Sequence, residues 1–500
     1  MYRSLLFISF FILFSLFSGN ILQAQESGSY ASMKTPFPEY SRKKQTDAHI
    51  TYSIENGALR NVYTPELTHR YGAYISSAYP LRLTILSGEA GYTRYYRKGQ
   101  RYCGMFRPAF PLITFSDTLP GNQKGETYHL AGNIVHSFST HWNAGLTLEY
   151  LAGNNAKDTD PRNKNGLNRI AVVPDFQYFA GTFQLGTKLY WQYERETVSY
   201  NSFGSETKNG VTFYPLWFYT AESFADGLNS QRDYRSDLYK IEINLQYKGN
   251  TWQTAFYPSY SQHNTCIWIN PAKKQSAGEI AKVNFCLENK THISASRHTH
   301  RFMSRFSHSR YKIYDIQQQL SADNRIYETI LKIKRAEVFR ISTGFHYMIS
   351  PISHPDRTIK ISLEYKKRNS LFRLPPTDFN QEITRLNFSA GYTRSFSLSG
   401  HLLNSDLQTS YSTGYGTQPD LSPLSGESIF RVQRHTLDRE FQYLTASTFG
   451  ITAKLRYTFP VNDCKSDFYI EIQDRFHTTC RTSGWSARSN DFKFSAGVSF

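Results

Sequence analysis

Between Trp142 and Tyr150 the chain changes character at every step. Trp142, Ala144, Leu146, Leu148 and Tyr150 fall on one face of an extended backbone, and Asn143, Gly145, Thr147 and Glu149 on the other, because successive side chains of a strand point to opposite sides. The pattern recurs. Phe183, Leu185, Leu189, Trp191 and Tyr193 oppose Gln184, Lys188, Gln192 and Glu194. Tyr239, Ile241, Ile243, Leu245 and Tyr247 oppose Lys240, Glu242, Asn244, Gln246 and Lys248. Phe449, Ile451, Ala453, Leu455, Tyr457 and Phe459 oppose Thr452, Lys454, Arg456 and Thr458. Runs of about 10 residues with one apolar and one polar face match a tilted strand that crosses a bilayer. A soluble sandwich also alternates, but three features favour a barrel. The runs are long. Aromatic residues sit at the ends of the apolar faces, as at Tyr150, Tyr247, Trp252 and Tyr260. Connections alternate between tight (Ser139-Thr140-His141, Lys248-Gly249-Asn250) and long (Gly153 to Asn168, Tyr200 to Ser236), as periplasmic turns and external loops do.

The last residues sharpen this reading. Phe492, Phe494, Ala496, Val498 and Phe500 alternate with Lys493, Ser495, Gly497 and Ser499. This resembles the terminal signal by which outer-membrane barrels are recognised by the insertion machinery, with Phe492, Phe494 and Phe500 as its candidate residues. Counting back from that strand places others near 466–477, 441–459, 397–409, 382–393, 357–369, 337–350, 324–335, 307–320, 291–305, 280–290, 251–263, 237–249, 183–199, 169–180, 142–152, 126–138 and 89–97. The expected fold is all-β: a transmembrane antiparallel β-barrel of about 18 strands, within a range of roughly 16 to 20. Its wall is expected over residues 84–500. Residues 25–83 then form a short N-terminal segment, either periplasmic or plugging the lumen, and too short for the plug of a TonB-dependent receptor.

The N-terminus fixes the compartment. Met1-Tyr2-Arg3 carries one positive charge, Leu5 to Phe17 is almost wholly apolar, and Gly19-Asn20 precedes Leu22-Gln23-Ala24. That order reads as a secretory signal peptide, residues 1–24, cut after Ala24. No cysteine lies near the cut, the first being Cys103, so a lipoprotein anchor is not expected. No second long apolar stretch follows, which excludes a helical membrane protein. The 36 Tyr and 36 Phe suit aromatic girdles at the membrane surfaces. Five cysteines make an odd count, and no disulfide scaffold is expected. Cys464 and Cys480 fall at opposite ends of one strand. A meeting of Cys266 with Cys286 is open but not favoured.

The layout resembles a family of outer-membrane barrels of unknown function from gut and oral Gram-negative anaerobes. The matching pieces are Tyr63-Thr64-Pro65 with Tyr71-Gly72, Pro111-Leu112-Ile113 leading into Pro120-Gly121-Asn122, and the run Lys157-Asp158-Thr159-Asp160-Pro161-Arg162-Asn163-Lys164-Asn165. The resemblance implies an outer-membrane barrel and supplies no catalytic residues.

Charge suggests what the barrel does. The chain holds 57 Lys and Arg against 40 Asp and Glu, a formal net charge of +17. Much of the base falls on the polar strand faces that should line the lumen: Lys188, Lys240, Lys248, Lys282, Arg340, Lys360, Lys366, Arg385, Lys454, Arg456 and Lys493. Glu149, Glu194, Glu242 and Glu364 share those faces. Rings of Lys and Arg favour anions in a pore, so one expectation is a channel or transporter for small, anionic solutes. The competing one is a lumen stapled shut by cross-strand ion pairs, with basic loops binding lipopolysaccharide phosphates. Nucleic-acid binding fits the charge but not the export signal. An outer-membrane hydrolase is a further class, yet there is no Gly-x-Ser-x-Gly elbow, His-Glu-x-x-His or paired-cysteine zinc motif. His298 and His300, in Arg297-His298-Thr299-His300, share a strand face and are weak metal candidates. No cofactor is expected. The last class is a surface or assembly component whose long loops, 200–236 and 411–440, contact a protein or glycan, with Tyr411-Ser412-Thr413-Gly414-Tyr415-Gly416 as the contact.

Overall fold

A computed structural model describes residues 45–500 except 103, 107–112, 160–161, 202–208, 224–229, 324, 425, 427, 462–465, 481–485 and 500. Residues 1–24, expected to be a signal peptide, and Cys103, Cys464 and Phe500 lie outside the described residues.

Eighteen strands close on themselves. In chain order they are β1 (Gln45–Gly57), β2 (Leu67–Pro80), β3 (Thr84–Gln100), β5 (Gly121–Ser137), β6 (Trp142–Lys157), β7 (Arg162–Ala180), β8 (Phe183–Asn201), β11 (Ser230–Lys248), β12 (Trp252–Asn270), β13 (Gln275–Ser294), β14 (His298–Leu320), β15 (Tyr327–Pro351), β16 (Arg357–Leu374), β17 (Thr377–Leu398), β18 (His401–Thr417), β20 (Thr448–Val461), β21 (Ser466–Thr479) and β22 (Arg488–Ser499). Every neighbour pair is antiparallel, and β1 pairs with β22 from Asp47↔Ser499 to Gly57↔Ser489. Closure leaves no free edge, which is the condition for strands to cross hydrocarbon. The remaining strands, β4 (Thr114–Ser116), β9 (Asn209–Phe213), β10 (Phe218–Ser223) and β19 (Arg431–Val432), form a separate sheet in the order β19-β10-β9-β4. One helix, α1 (Arg434–Thr445), follows β19.

The strand number matches the expectation, but by two compensating differences. Residues 45–80, expected to precede the wall, supply its first two strands. The wall therefore begins at Gln45, not near residue 84. Conversely, five strands were expected between 280 and 350, and three long ones are found there, β13 to β15, of 20, 23 and 25 residues. Their ends toward the long loops rise past the apolar belt, so the outward face there turns polar and the alternation fades. Irregularities at Ile313/Tyr314 and Gln317/Gln318 shift its phase as well. The same overshoot turns Gly153–Asn168, expected as a loop, into a strand hairpin from β6 to β7. The strand expected at 441–459 starts only at Thr448, because its first residues complete α1.

The outer surface is that of a protein turned inside out. Ile50, Leu130, Leu148, Tyr239, Leu363, Leu407 and Leu455 are each more than half exposed. Such a belt demands lipid, since water would charge about 25 cal/mol for each Å² of it. At the end with short turns, tilted rings pack into a girdle: Trp142 against Tyr178 at 4.7 Å, Phe183 against Tyr247 at 5.2 Å, Tyr247 against Trp252 at 5.3 Å. On the opposite face of β2, Tyr74 lies across Gly72 and Gly91, where a Cβ would come within 2.6 and 2.9 Å of its ring. Only glycine admits the ring at these positions.

Candidate functional site

The barrel has a turn end and a loop end, and the loop end is filled from within. Segments of three long connections (101–120, 202–229 and 418–447) fold inward as β4, β9, β10, β19 and α1. Their apolar side chains Phe115, Val211, Phe213, Tyr214, Leu216, Trp217, Phe218, Phe430 and Leu437 join one buried cluster. The wall contributes Val198, Tyr200, Tyr234, Ile267, Ile280, Ile313, Ala336, Phe372 and Phe379 to the same cluster. Phe218 stacks on Phe372 at 4.2 Å with the rings 5° from parallel. On the other side, Phe106 packs with Tyr95 and Leu167. The plug is thus a small globular core seated in the mouth of a membrane barrel.

The turn joining β9 to β10 is strained. Leu216 and Trp217 have φ of 61° and 59°, a left-handed conformation that costs a non-glycine residue about 1–2 kcal/mol. Burial holds it: Trp217 is fully buried, and its indole Nε1 donates to Glu440 Oε2 at 2.6 Å. Glu440, on α1, accepts from Arg368 of β16 at 3.2 Å, and Arg368 donates to Gln381 of β17 at 2.6 Å. The Arg368 and Glu440 side chains are only 7% and 2% exposed. This chain ties the strained turn, the plug helix and the wall together.

Three other buried contacts hold the plug. Lys157 of β6 donates to Asp117, just after β4, at 2.7 Å. Burial pushes the Asp117 carboxyl up from its ordinary range, and the Lys157 ammonium pulls it back. Glu196 accepts from the Phe106 backbone N–H, and Tyr234 Oη accepts from that of Phe115 at 3.0 Å.

The basic residues singled out in the sequence share the inward face. The register runs Lys188↔Glu242 and Tyr190↔Lys240, then His263↔Lys282, Arg340↔Arg368 and Ser342↔Lys366, Lys366↔Arg385, Asp406↔Lys454 and Asn404↔Arg456, and Gln473↔Lys493. Lys248, at the foot of β11, lies opposite Gln253, and Lys360 lies opposite Gly391. Many are paired. Lys240 and Lys188 approach Glu242 at 2.7 and 3.7 Å. Lys360 meets Asp406 at 2.5 Å, Lys366 meets Glu364, and Lys454 and Arg456 share Glu471 at 2.9 and 3.8 Å. Arg340 donates to Tyr311, Arg385 to Ser412, and Lys282 sits over the Tyr311 ring. The excess is uneven. From β16 to β22 the inward face carries Lys360, Lys366, Arg368, Arg385, Lys454, Arg456, Arg475 and Lys493 against Glu364, Asp406, Asp467, Glu471 and Asp491, eight cations to five carboxylates. From β1 to β6 it carries Asp47, Glu55, Glu89 and Glu149 against Arg70, Arg97 and Lys157. The lumen has a basic arc that adjoins a mildly acidic one where β22 pairs with β1.

Other residues marked in the sequence lie apart from this site. Phe492 and Phe494 face outward in β22, opposite Ile54 and Tyr52. His298 and His300 share the outward face at the turn end of β14, with ring centroids 6.2 Å apart, and His300 Nδ1 is 2.8 Å from Tyr347 Oη. No cluster suited to a metal ion occurs among the described residues. Cys266 and Cys286 are free thiols, so they do not meet in a disulfide. The plug was missed, although its signal is plain: Phe213-Tyr214-Pro215-Leu216-Trp217-Phe218-Tyr219 is far too apolar for a solvated loop.

The fold and its seat define a transmembrane β-barrel closed at one mouth by its own loops. The chain belongs to a family of unknown function (DUF6850), whose profile matches residues 38–500. No curated protein matches it. Among solved structures it is similar to the copper transporter OprC (10% identity, TM-score 0.40, covering 91% of this chain and 80% of that one). It is also similar to BauA, the ferric preacinetobactin receptor from Acinetobacter baumannii (8%, 0.42, 92% and 80%), and to the outer membrane transporter YddB from Escherichia coli (8%, 0.43, 92% and 80%). Likeness of this degree carries no inference about activity.

Proposed function

We propose that the protein resides in the outer membrane of a Gram-negative cell, loop end outward, as a gated channel or transporter for small anionic solutes. The observation that carries this reading is the basic arc of β16 to β22 lying directly beneath the plug. Rings of Lys and Arg with an excess over carboxylates lower the barrier to anions. The plug makes closed the resting state, and its strained turn supplies a reason for it to move, since strained backbone collects at switching elements. The signal-like N-terminus, with its cut after Ala24, accounts for export.

The packed plug and the paired lumen charges favour a second reading, a non-conducting surface or assembly component. The hydrolase reading has no such support, because Glu242, Glu364, Asp406 and Glu471 are each held by cations. Planar-bilayer recording separates the first two. The wild-type barrel should conduct little, and Trp217→Ala should conduct measurably, with a reversal potential under a KCl gradient that shows anion preference. Cation preference after release, or silence in both forms, rejects the anion channel and leaves the second reading standing.

A further inference from the structure

A different surface carries an inference independent of transport. On the barrel wall, Tyr71, Tyr92, Arg94, Tyr95, Tyr96 and Lys124 line a cavity of about 540 Å³. The register sets Tyr71 opposite Arg94, Arg94 opposite Glu126, and Tyr96 opposite Lys124. All of them except Tyr95, whose ring turns inward against Phe106, share the outward face with the exposed Ile75 and Leu130, so the groove opens toward lipid. Its height follows from the sequence of the strands. Going toward the loop end, the outward face of β3 reads Leu86, Ala90, Tyr92, Arg94, Tyr96, and that of β5 reads Ile134, Leu130, Tyr128, Glu126, Lys124. Apolar residues give way to tyrosine and then to charge, which is the passage from acyl chains through the interface to headgroups.

The cations here differ from those of the lumen. Arg94 and Lys124 are exposed, and among the described residues neither forms an ion pair. Glu126 does not neutralise them by contact: its oxygens accept from Tyr92 Oη at 3.1 Å and Asn154 Nδ2 at 2.9 Å. Diagonal neighbours across a strand pair stand about 7–8 Å apart, so one phosphate can be held between the guanidinium and the ammonium. The tyrosine rings offer flat apolar faces for a sugar and hydroxyls for its polar edge.

We propose that this groove binds the phosphorylated headgroup of an acylated glycolipid in the leaflet next to the loop end. Arg94 and Lys124 hold the phosphate, and Tyr71, Tyr92 and Tyr96 pack against the sugar. The test measures binding to the detergent-purified, delipidated full-length protein by native mass spectrometry. The probes are a phosphorylated acyl-glycolipid, the same lipid dephosphorylated, and inorganic phosphate. The phosphorylated lipid should bind, and the Arg94→Gln/Lys124→Gln double variant should bind it at least about tenfold more weakly, the loss expected for removing charge-assisted contacts. Arg394→Gln, on the outward face at the turn end, should leave binding unchanged. Both variants should keep the heat-modifiable migration of the folded barrel. Equal binding of the dephosphorylated lipid, or wild-type binding by the double variant, overturns the proposal. Inorganic phosphate binding as tightly as the lipid overturns the lipid assignment.

Discussion

Glu440→Gln is the sharpest test of the plug as a latched element. The substitution keeps the shape and an acceptor for the Trp217 indole, which now reaches Glu440 at 2.6 Å. It removes the only charge that faces Arg368 within the buried pair. Leaving one member of a buried ion pair uncompensated costs about 3–5 kcal/mol. The Gln381 contact to Arg368 survives, so the lower value is the better expectation. At about 1.4 kcal/mol per factor of ten, 3 kcal/mol raises the open-plug population by roughly two orders of magnitude. The strained turn at Leu216 and Trp217 adds to the tendency once the seat loosens. Amide hydrogen exchange on the reconstituted barrel reads this directly. Residues 209–223 and 431–445 should exchange about a hundredfold faster in the variant, while strands such as β8 and β12 keep their protection. The Arg368→Met/Glu440→Gln double variant should recover most of the protection, because no buried charge is then left unpaired and the Trp217 indole keeps its acceptor. Unchanged plug exchange in Glu440→Gln refutes the latch. A double variant as open as the single one shows that Glu440 acts through something other than its pairing with Arg368.

Three further outcomes follow from the same structure. Lys157→Met strands the Asp117 carboxylate in a site where its partner sits at 2.7 Å, so limited proteolysis should cut 101–120 much faster, consistent with a loss of about 3 kcal/mol, and Asp117→Leu added to it should restore resistance. Gly91→Val places a side chain against the Tyr74 ring, 2.9 Å from a Cβ, and should destabilise the barrel by about 1–3 kcal/mol, read as a lower temperature for loss of heat-modifiable migration; adding Tyr74→Ala should relieve it. In the Trp217→Ala background, Lys454→Glu with Arg456→Glu should weaken or invert anion preference in reversal-potential measurements; an unchanged preference removes the basic arc from the permeation path.

The sequence revealed the lipid-facing half of this molecule more fully than the inner half, and the reason is physical. A strand within the bilayer must alternate, because one face meets hydrocarbon and the other does not. Trp142 to Tyr150 and Phe449 to Phe459 therefore announce themselves. Above the bilayer that constraint ends. At Lys312 or Lys332 the outward face is charged, and a single strand such as β15 looks like two shorter ones. The first two strands were missed for the opposite reason: His49 to Ile54 does alternate, but its partner β22 lies at the far end of the chain, and nothing local records that pairing. The strand number matched because these two differences cancel.

The plug exposes the same logic from inside. A polar lumen cannot seat an apolar plug unless its inward face becomes apolar at that height. It does so within two to four residues. On β13, Lys282 points inward, and Ile280, one step toward the loop end, joins the buried cluster. On β16, Arg368 is followed on the same face by Ser370 and then Phe372, fully buried under the plug. The inward face thus carries two programmes at two heights, charge below and hydrophobic seat above. Arg368 stands at their boundary and is neutralised by Glu440 from the plug itself. Removing the plug would uncover that cation at the top of the basic arc. In this arrangement, opening the mouth and exposing the uppermost cation of the arc are one event. This links the latch and the lumen charge more tightly than either the strand pattern or the net charge of +17 discloses.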